Sequence, residues 1–207
     1  MDGPIIAVDG PAASGKGTIA KRIAAEFHLP MLDTGLLYRA VAQHMVDHGL
    51  SLDDETAAER AARTFTIEWL VDERLRTRVA GEQASRVAKY QGLRVALRQF
   101  QQDFAHQPGG AVLDGRDIGT IIAPDAHAKL WIDADVKARA NRRFRELIGR
   151  GEVVREADIL ADLMARDARD APNMQIAPDA IRIDTTHLDV DQAVAEALAA
   201  VRRRVQT

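Results

Sequence analysis

An α/β fold, with a mostly parallel sheet and helices on both faces, is predicted by three observations. Short apolar runs alternate with segments of helical periodicity along most of the chain. A glycine-rich run, Gly10-Pro-Ala-Ala-Ser-Gly15-Lys16-Gly17-Thr18, stands directly behind the first apolar run. With 207 residues and 46% hydrophobic side chains, the chain is long enough for one domain with a buried core and too apolar for a disordered protein.

The elements follow in order. Pro4–Asp9 reads as a short buried strand, and Ile19, Ala20, Ile23, Ala24 and Phe27 then recur at helical spacing. Between them, Gly10, Pro11, Ala12, Ala13, Ser14, Gly15, Lys16, Gly17 and Thr18 form a candidate phosphate-binding loop. Glycines let backbone N–H groups turn inward around phosphate oxygens, the helix N-terminus adds partial positive charge, and Lys16 can reach the β- and γ-phosphates. The loop departs from the strict GxxxxGK[ST] pattern, because Gly17 follows Lys16 and Thr18 comes one place later. This variant is similar to that of the nucleoside-monophosphate kinases. The chain also has no Asn-Lys-x-Asp with which a GTPase would read guanine.

Met31-Leu32 predict a brief strand, and a helix from Leu36 to His48 stops at Gly49. A second helix, Asp53 to Arg63, has Ser51 as its candidate cap. Thr64–Trp69 and Leu75–Ala80 read as two short strands around Asp72-Glu73, a hairpin that interrupts the alternation. One long helix over Gln83–Phe104 carries Val87, Leu93, Leu97, Phe100 and Phe104 on one face and ends at Gln107-Pro-Gly-Gly110. Ala111–Asp114 and Lys129–Asp133 are further buried strands. A basic helix over Val136–Ile148, a helix over Glu156–Arg169, a last strand at Ala180–Asp184 and a last helix at Val190–Val205 complete the chain, with no internal repeat.

Composition narrows the function classes. The 28 basic and 31 acidic side chains leave a net charge of −3, which argues against a general nucleic-acid binder. An anionic ligand must therefore be met by locally clustered arginines. The absence of cysteine excludes disulfides and thiolate metal sites. No basic-then-apolar leader and no span-length apolar stretch is evident, so a cytoplasmic protein without membrane contact is expected.

A second constellation gives the phosphate loop a context. Asp33-Thr-Gly-Leu-Leu-Tyr38-Arg39 follows the second strand, Gly115-Arg116-Asp117-Ile-Gly-Thr120 follows strand Ala111–Asp114, and Arg166-Asp-Ala-Arg169-Asp170 ends a helix. Ligands in open α/β sheets bind beyond the carboxyl ends of the strands, so Arg39 and Arg116 can face the same crevice as Lys16. Moving a γ-phosphoryl group onto a second phosphate brings two anions together. Its loose transition state needs positioning, charge neutralisation and exclusion of water rather than covalent chemistry. Arginine suits this, because its planar fork binds phosphate bidentately and stays charged. A phosphate-monoester acceptor is already ionised, so no general base is required.

Taken together, Gly10–Thr18, Asp33–Arg39, Leu113–Thr120, Lys129–Ala134, Asn141-Arg-Arg143 and Arg166–Asp170 resemble the bacterial cytidylate kinases over nearly the whole chain. The resemblance implies a P-loop NTPase fold with a five-stranded parallel core. It implies a single kinase domain over residues 1–207, with an acceptor-nucleotide insertion at 50–105 and a lid at 149–178. It also implies ATP-dependent phosphorylation of CMP or dCMP with Mg²⁺, small nucleotides as partners, and a monomer.

Carried over residue by residue, the resemblance has Gly10 to Thr18 cradle ATP, with Lys16, Arg39, Arg116 and Arg166 as the catalytic cations. Arg39 and Arg116 would hold the CMP phosphate, and Thr34 would supply a small hydroxyl near the acceptor. Ser85, Arg94 and Asp117 would meet the cytosine edge, and Arg166 and Asp170 the sugar. Arg139, Arg142 and Arg143 would bring positive charge toward ATP. Thr18 and Asp114 are the candidate metal residues, Asp114 through a bound water.

Three departures stand against this pattern. The insertion is short, with no third strand bearing an Ile-Arg pair before Ser85; Asn173 stands where a further lid arginine is expected; and Gln91-Gly92 replaces a proline- and arginine-containing turn. Two rival readings therefore stay open: a kinase for another small acceptor such as UMP, AMP or a metabolite, and a catalytically impaired nucleotide-binding paralogue. An alcohol kinase would need a carboxylate placed as base.

Some residues have plainer readings. Asp33 and Asp117 can each cap the helix that follows. Arg166 and Asp170 have the i,i+4 spacing of a surface ion pair. His44 and His48 have zinc-compatible spacing but no third ligand. Trp69 and Trp131 are expected in the core, and Arg202-Arg-Arg204 at a solvated helix end.

Overall fold

In the computed structural model, which describes residues 3–205, five strands form one sheet. They are β1 (Ile5–Asp9), β2 (Met31–Asp33), β3 (Ala111–Gly115), β4 (Ala128–Asp133) and β5 (Ile181–Asp184), and every pairing is parallel in the order β2-β3-β1-β4-β5. The central strands β1, β3 and β4 are buried almost throughout, as strands covered on both faces require, whereas β5 at the edge exposes Arg182 and Asp184. Strand alternation divides β1 between two cores. Ile5 and Ala7 pack with Leu37, Val41, Leu93 and Leu97, while Ile6 and Val8 pack with Ile19, Ile23, Ala197 and Val201.

The helices that supply those residues are α1 (Lys16–Phe27), α2 (Thr34–Asp47), α5 (Gln91–Ala105) and α8 (Val190–Val205). Each fully buried Leu, Ile or Val contributes about 1.5–3 kcal/mol from removal of apolar surface from water. Between α2 and β3 lie α3 (Glu55–Arg63), two short 3₁₀ turns, α4 (Arg78–Val87) and α5. Between β4 and β5 lie α6 (Val136–Gly149) and α7 (Glu156–Asp170), which share a third apolar cluster of Ala140, Leu147, Ile159 and Leu163 around Ala12 of the glycine-rich loop. Among the described residues no helix is long and apolar enough to cross a membrane.

Several sequence expectations are corrected. The hairpin over Thr64–Ala80 does not form; the chain makes 3₁₀ turns at Ile67–Val71 and Glu73–Arg76 and then enters α4. A lone two-stranded hairpin has no sheet face to bury, and local capping wins instead. Asp72 accepts a hydrogen bond from Arg74 N, and Thr77 Oγ1 accepts one from Ala80 N at the start of α4. Trp69 therefore lies on a turn, partly buried, edge-on to Phe65 and stacked on His44 at 4.0 Å. That stack gives His44 a packing role, and no group of three or more metal-ligating side chains exists among the described residues. Trp131 is buried in β4 as expected.

The long helix over Gln83–Phe104 is broken at Ala88–Tyr90 into α4 and α5. Tyr90 turns inward, and its hydroxyl donates to Leu52 O at 3.4 Å. A Cβ at Gly92 would stand 2.3 Å from Glu59 Oε2, the end of a flexible side chain on α3 that can move aside. The cap of α3 is Asp54, whose carboxylate accepts from Ala57 N at 2.9 Å, whereas Ser51 Oγ accepts from Asp53 N outside the helix. Asp33 caps α2 as expected, accepting from Gly35 N.

The cap assignment gives a direct comparison. Asp54→Ala is expected to lower the unfolding free energy by about 1 kcal/mol, and Ser51→Ala by less than about 0.5 kcal/mol, in urea denaturation.

Candidate active site

The glycine-rich loop springs from the carboxyl end of β1, where backbone constraints explain its residues. Gly10 has φ +150°, and a Cβ there would lie 2.0 Å from Ile132 O. Gly15, at φ +93°, starts α1, and its carbonyl accepts from Thr18 N and Ile19 N. Ala13 holds φ +60°, an uncommon conformation for a residue with a side chain. Lys16 is the first residue of α1, and its ammonium stands 3.4 Å from Asp114 Oδ1 at the end of β3. Burial, then the nearby Arg116, pulls the Lys16 pKa down, while burial pushes Asp114 up against the opposing pull of Lys16. Ser14 is fully buried with its Oγ unpartnered. Thr18 is exposed, and the residue that faces Asp114 is Gly17, whose Cβ would stand 3.1 Å from Asp114 Oδ2.

Parallel register brings the next residues together. Asp33 and Val8 both align with Asp114, and Asp9 aligns with Gly115, so the segments after β1, β2 and β3 leave the sheet side by side. Arg39 on α2 and Arg166 on α7 flank Gly81 of α4; a Cβ there would stand 3.4 Å from Arg39 Nη2 and 3.5 Å from Arg166 Nη1. Arg39 Nη1 donates to Leu75 O at 2.7 Å. Leu75 and Arg76 stand on the 3₁₀ turn just before α4. Arg166 Nε is buried without a hydrogen-bond partner. Its pKa falls to about 10, through burial first and then repulsion from Arg116, with Arg39 and Arg169 adding to it.

Two cavities adjoin these cations. A cavity of about 620 Å³, lined by Ala12, Ala13, Arg39, Arg143, Arg166 and Arg169 among others, opens over the loop. A smaller one of about 60 Å³ is lined by Thr34, Ser85, Arg94, Arg116, Asp117, Arg166 and Asp170, so every predicted acceptor residue except Arg39 meets there. It also takes in Tyr38, Arg169 and Asn173. Asp170 is its hub, accepting from Ser85 Oγ at 3.1 Å and Arg116 Nε at 3.2 Å, with Arg166 Nε at 3.6 Å. The Arg166–Asp170 pair is therefore half-buried between arms of the protein rather than on an open helix surface. Arg94 donates to Asp117 Oδ2 at 2.5 Å; Asp117 precedes a π-type turn (Ile118–Ile122) without capping it through its side chain. Thr34 Oγ1 donates to Asp114 O at 2.8 Å.

The lid-side arginines separate into different roles. Arg143 lines the larger cavity and pairs with Glu146. Arg142 turns to the chain after β5 and donates to Thr185 Oγ1, which in turn donates to Ser14 O. Arg139 is buried against backbone. Arg202 is paired with Glu26 on α1.

One residue escaped the sequence reading. Asp9, taken only as the end of a strand, is buried, and its carboxylate accepts from Ile118 N at 2.9 Å and Gly119 N at 2.8 Å. It thereby clamps the segment that carries Arg116 and Asp117 onto the root of the phosphate loop. The available signal was a carboxylate immediately before a glycine-rich loop, at a position an apolar strand buries. Burial raises its pKa from 3.8 to about 7, outweighing the two backbone N–H bonds that favour the ionised form.

Because the folded-state pKa lies above the unfolded one, the native protein holds this proton more tightly. The resulting contribution to stability is lost as pH rises from 3.8 through about 7. Asp9→Asn abolishes that dependence. The stability difference between variant and wild type should therefore move in favour of the variant from roughly pH 5 to roughly pH 8 in equilibrium denaturation; a flat difference contradicts the assignment.

Comparison with known proteins agrees with this geometry. The family model described as cytidylate kinase matches residues 6–203. A cytidylate kinase of Xanthobacter autotrophicus is 56% identical over 205 residues, covering 97% of this chain and 98% of its own. One from Caulobacter vibrioides is 53% identical over 196 residues, covering 92% of each. Among solved structures, a gluconokinase from Sinorhizobium meliloti (TM-score 0.53, 15% identity, 98% and 94% coverage) and a shikimate kinase from Bacteroides thetaiotaomicron (0.51, 11%, 99% of each) share the fold. The match along almost its full length places this chain in the cytidylate kinase family.

Proposed function

We propose that the protein transfers the γ-phosphoryl group of ATP to CMP or dCMP, giving ADP and CDP or dCDP. The observation that carries this reading is the convergence of Arg39, Arg116, Arg166 and Arg169 beside Lys16, with Arg166 repelled by the other three. Such a cluster is relieved when anionic phosphates enter it.

ATP lies on the loop from Gly10 to Thr18, its phosphates received by backbone N–H groups and Lys16. The acceptor phosphate lies between Arg39 and Arg116. An acceptor oxygen forms a bond to the γ-phosphorus as the β–γ bridging bond breaks, and the electron pair of that bond leaves with ADP. Lys16 and Arg166 stabilise charge on the transferred oxygens. Arg94 and Asp117 read the cytosine edge: the N4 amino group donates to the carboxylate, where uracil would present an acceptor instead. Ser85 and Asp170 meet the nucleoside.

Mg²⁺ fits the donor set, since that ion usually takes one or two carboxylates together with substrate phosphates, and Asp114 lies buried beside Lys16 and Gly17. Bound with ATP, it would neutralise phosphate charge; Asp114 would hold it through water, and Thr18, exposed on the first turn of α1, is the second candidate ligand. The insertion over 50–105 and the lid over 149–178 are proposed to part for nucleotide entry. The acceptor space of about 60 Å³ is far below the few hundred Å³ of a typical ligand site.

ADP formation with ATP and Mg²⁺, measured in parallel for CMP, dCMP, UMP, AMP and no acceptor, tests the reading. Turnover confined to CMP and dCMP is expected; turnover with another acceptor, or none, overturns it. Lys16→Ala should lower kcat by at least about 10²-fold. Asp117→Ala should lower the preference for CMP over UMP by at least about tenfold while leaving the KM for ATP within about twofold.

A further inference from the structure

Arg139 is a buried cation that the proposed chemistry does not use. Only 5% of it is exposed, and its guanidinium joins three parts of the chain. Nε donates to Ala134 O at 2.9 Å, at the entrance to α6. Nη1 donates to Ala12 O in the phosphate loop at 3.0 Å. Nη1 and Nη2 together make a two-pronged pair with Asp167 of α7, at 3.2 and 2.6 Å. Asp167 follows Arg166 directly, but it projects from another side of the helix than Arg166, Arg169 and Asp170, which line the acceptor cavity.

The contact with Ala12 O has a consequence for the phosphate loop. In a trans peptide the carbonyl and the following N–H point in opposite directions, and no cis peptide occurs among the described residues. Drawing the Ala12 carbonyl toward the Arg139 guanidinium therefore turns the Ala13 N–H away from Arg139, at a residue that lines the cavity over the loop. Ala13 is also the loop residue held at φ +60°, a conformation that persists for a residue with a Cβ when its surroundings impose it. Arg139 supplies such an imposed contact.

We propose that Arg139 is a positioning residue for the triphosphate: oriented by Asp167, it fixes the Ala12–Ala13 peptide so that the Ala13 N–H is presented to the phosphates. The proposal rests on the reading of this loop as the ATP site. It also makes Asp167 the connection through which the helix that carries acceptor groups is tied to the donor loop. A lysine at position 139 keeps the charge but has no fork to hold a carbonyl and a carboxylate at once.

Binding of β,γ-imido-ATP with Mg²⁺ by the full-length wild type, Arg139→Lys and Asp167→Asn tests this, with CMP binding measured separately on each protein. Arg139→Lys should weaken the imido-ATP complex at least about tenfold and Asp167→Asn at least about threefold, with the affinity for CMP alone within about twofold of wild type. Unchanged imido-ATP affinity in both variants overturns the proposal. So does a parallel loss of both ligands with a lowered melting temperature, which would mark a general loosening. Asp167→Asn, at a partly exposed side chain, keeps the test decisive if Arg139→Lys folds poorly. A wild type that binds imido-ATP but not CMP would count against the acceptor assignment and leave the imido-ATP comparison to judge the positioning role.

Discussion

The parallel pairing of β1 with β3 is the constraint on which the site depends. Its register sets Asp9 opposite Gly115 and Val8 opposite Asp114, so the phosphate loop and the segment bearing Arg116 and Asp117 leave the sheet as neighbours. Parallel ladders carry all carboxyl ends to the same edge, which is why ligands collect there. Asp9 then locks the two outgoing segments together with two backbone N–H bonds. A shift of one residue would exchange the faces of β1, separate Ile5 and Ala7 from one core and Ile6 and Val8 from the other, and misalign the loops.

Charge follows from this geometry. A protein with a net charge of −3 concentrates Lys16 and several arginines at one edge, and balances them incompletely with Asp114 and Asp170. Burial and mutual repulsion depress the pKa of Lys16 and of Arg166, so the cluster favours an anion between its cations. The carboxylates have distinct duties. Asp170 holds Arg116 and receives Ser85, Asp117 faces Arg94, and Asp114 meets Lys16. Arg116, Arg94 and Lys16 are each oriented by a carboxylate, so their side-chain entropy is already reduced.

The two arms that complete the site come from separate insertions between strands, and they meet over it. Ser85 and Gln91 of the first reach Asp170 and Asn173 of the second, and Arg78 pairs with Asp162. Asn173 stands where a further lid arginine was expected, but Arg169 lines both cavities and donates to Ser85 Oγ at 3.2 Å. Positive charge at the cavities is thus supplied by the last turn of α7, just before the 3₁₀ turn that carries Asn173.

Local sequence determined much of this protein. Apolar runs of strand length specified β1, β3 and β4, because a strand buried on both faces must be apolar nearly throughout, and β5 showed instead the alternation of an edge strand, Ile181 and Ile183 between Arg182 and Asp184. The order of glycines around Lys16 specified the phosphate loop, because such backbone turns admit few other residues. Arg39 and Arg116 were legible because each comes shortly after the carboxyl end of a strand, where ligands of such sheets collect; Arg166, within the last turns of α7, was legible only through the family resemblance. The stretch from Thr64 to Ala80 was not legible. Its apolar residues alternate like a strand, yet Phe65, Trp69 and Leu70 pack on the helical core beneath them, and caps at Asp72 and Thr77 draw the chain into turns and a helix. Nor did spacing reveal that Asp9 clamps a segment more than a hundred residues away, or that Arg139 faces Ala12 and Asp167 rather than ATP. Those contacts join segments distant in sequence, and only the closing of the sheet and the packing of α6 and α7 on the loop decide which charge meets which partner.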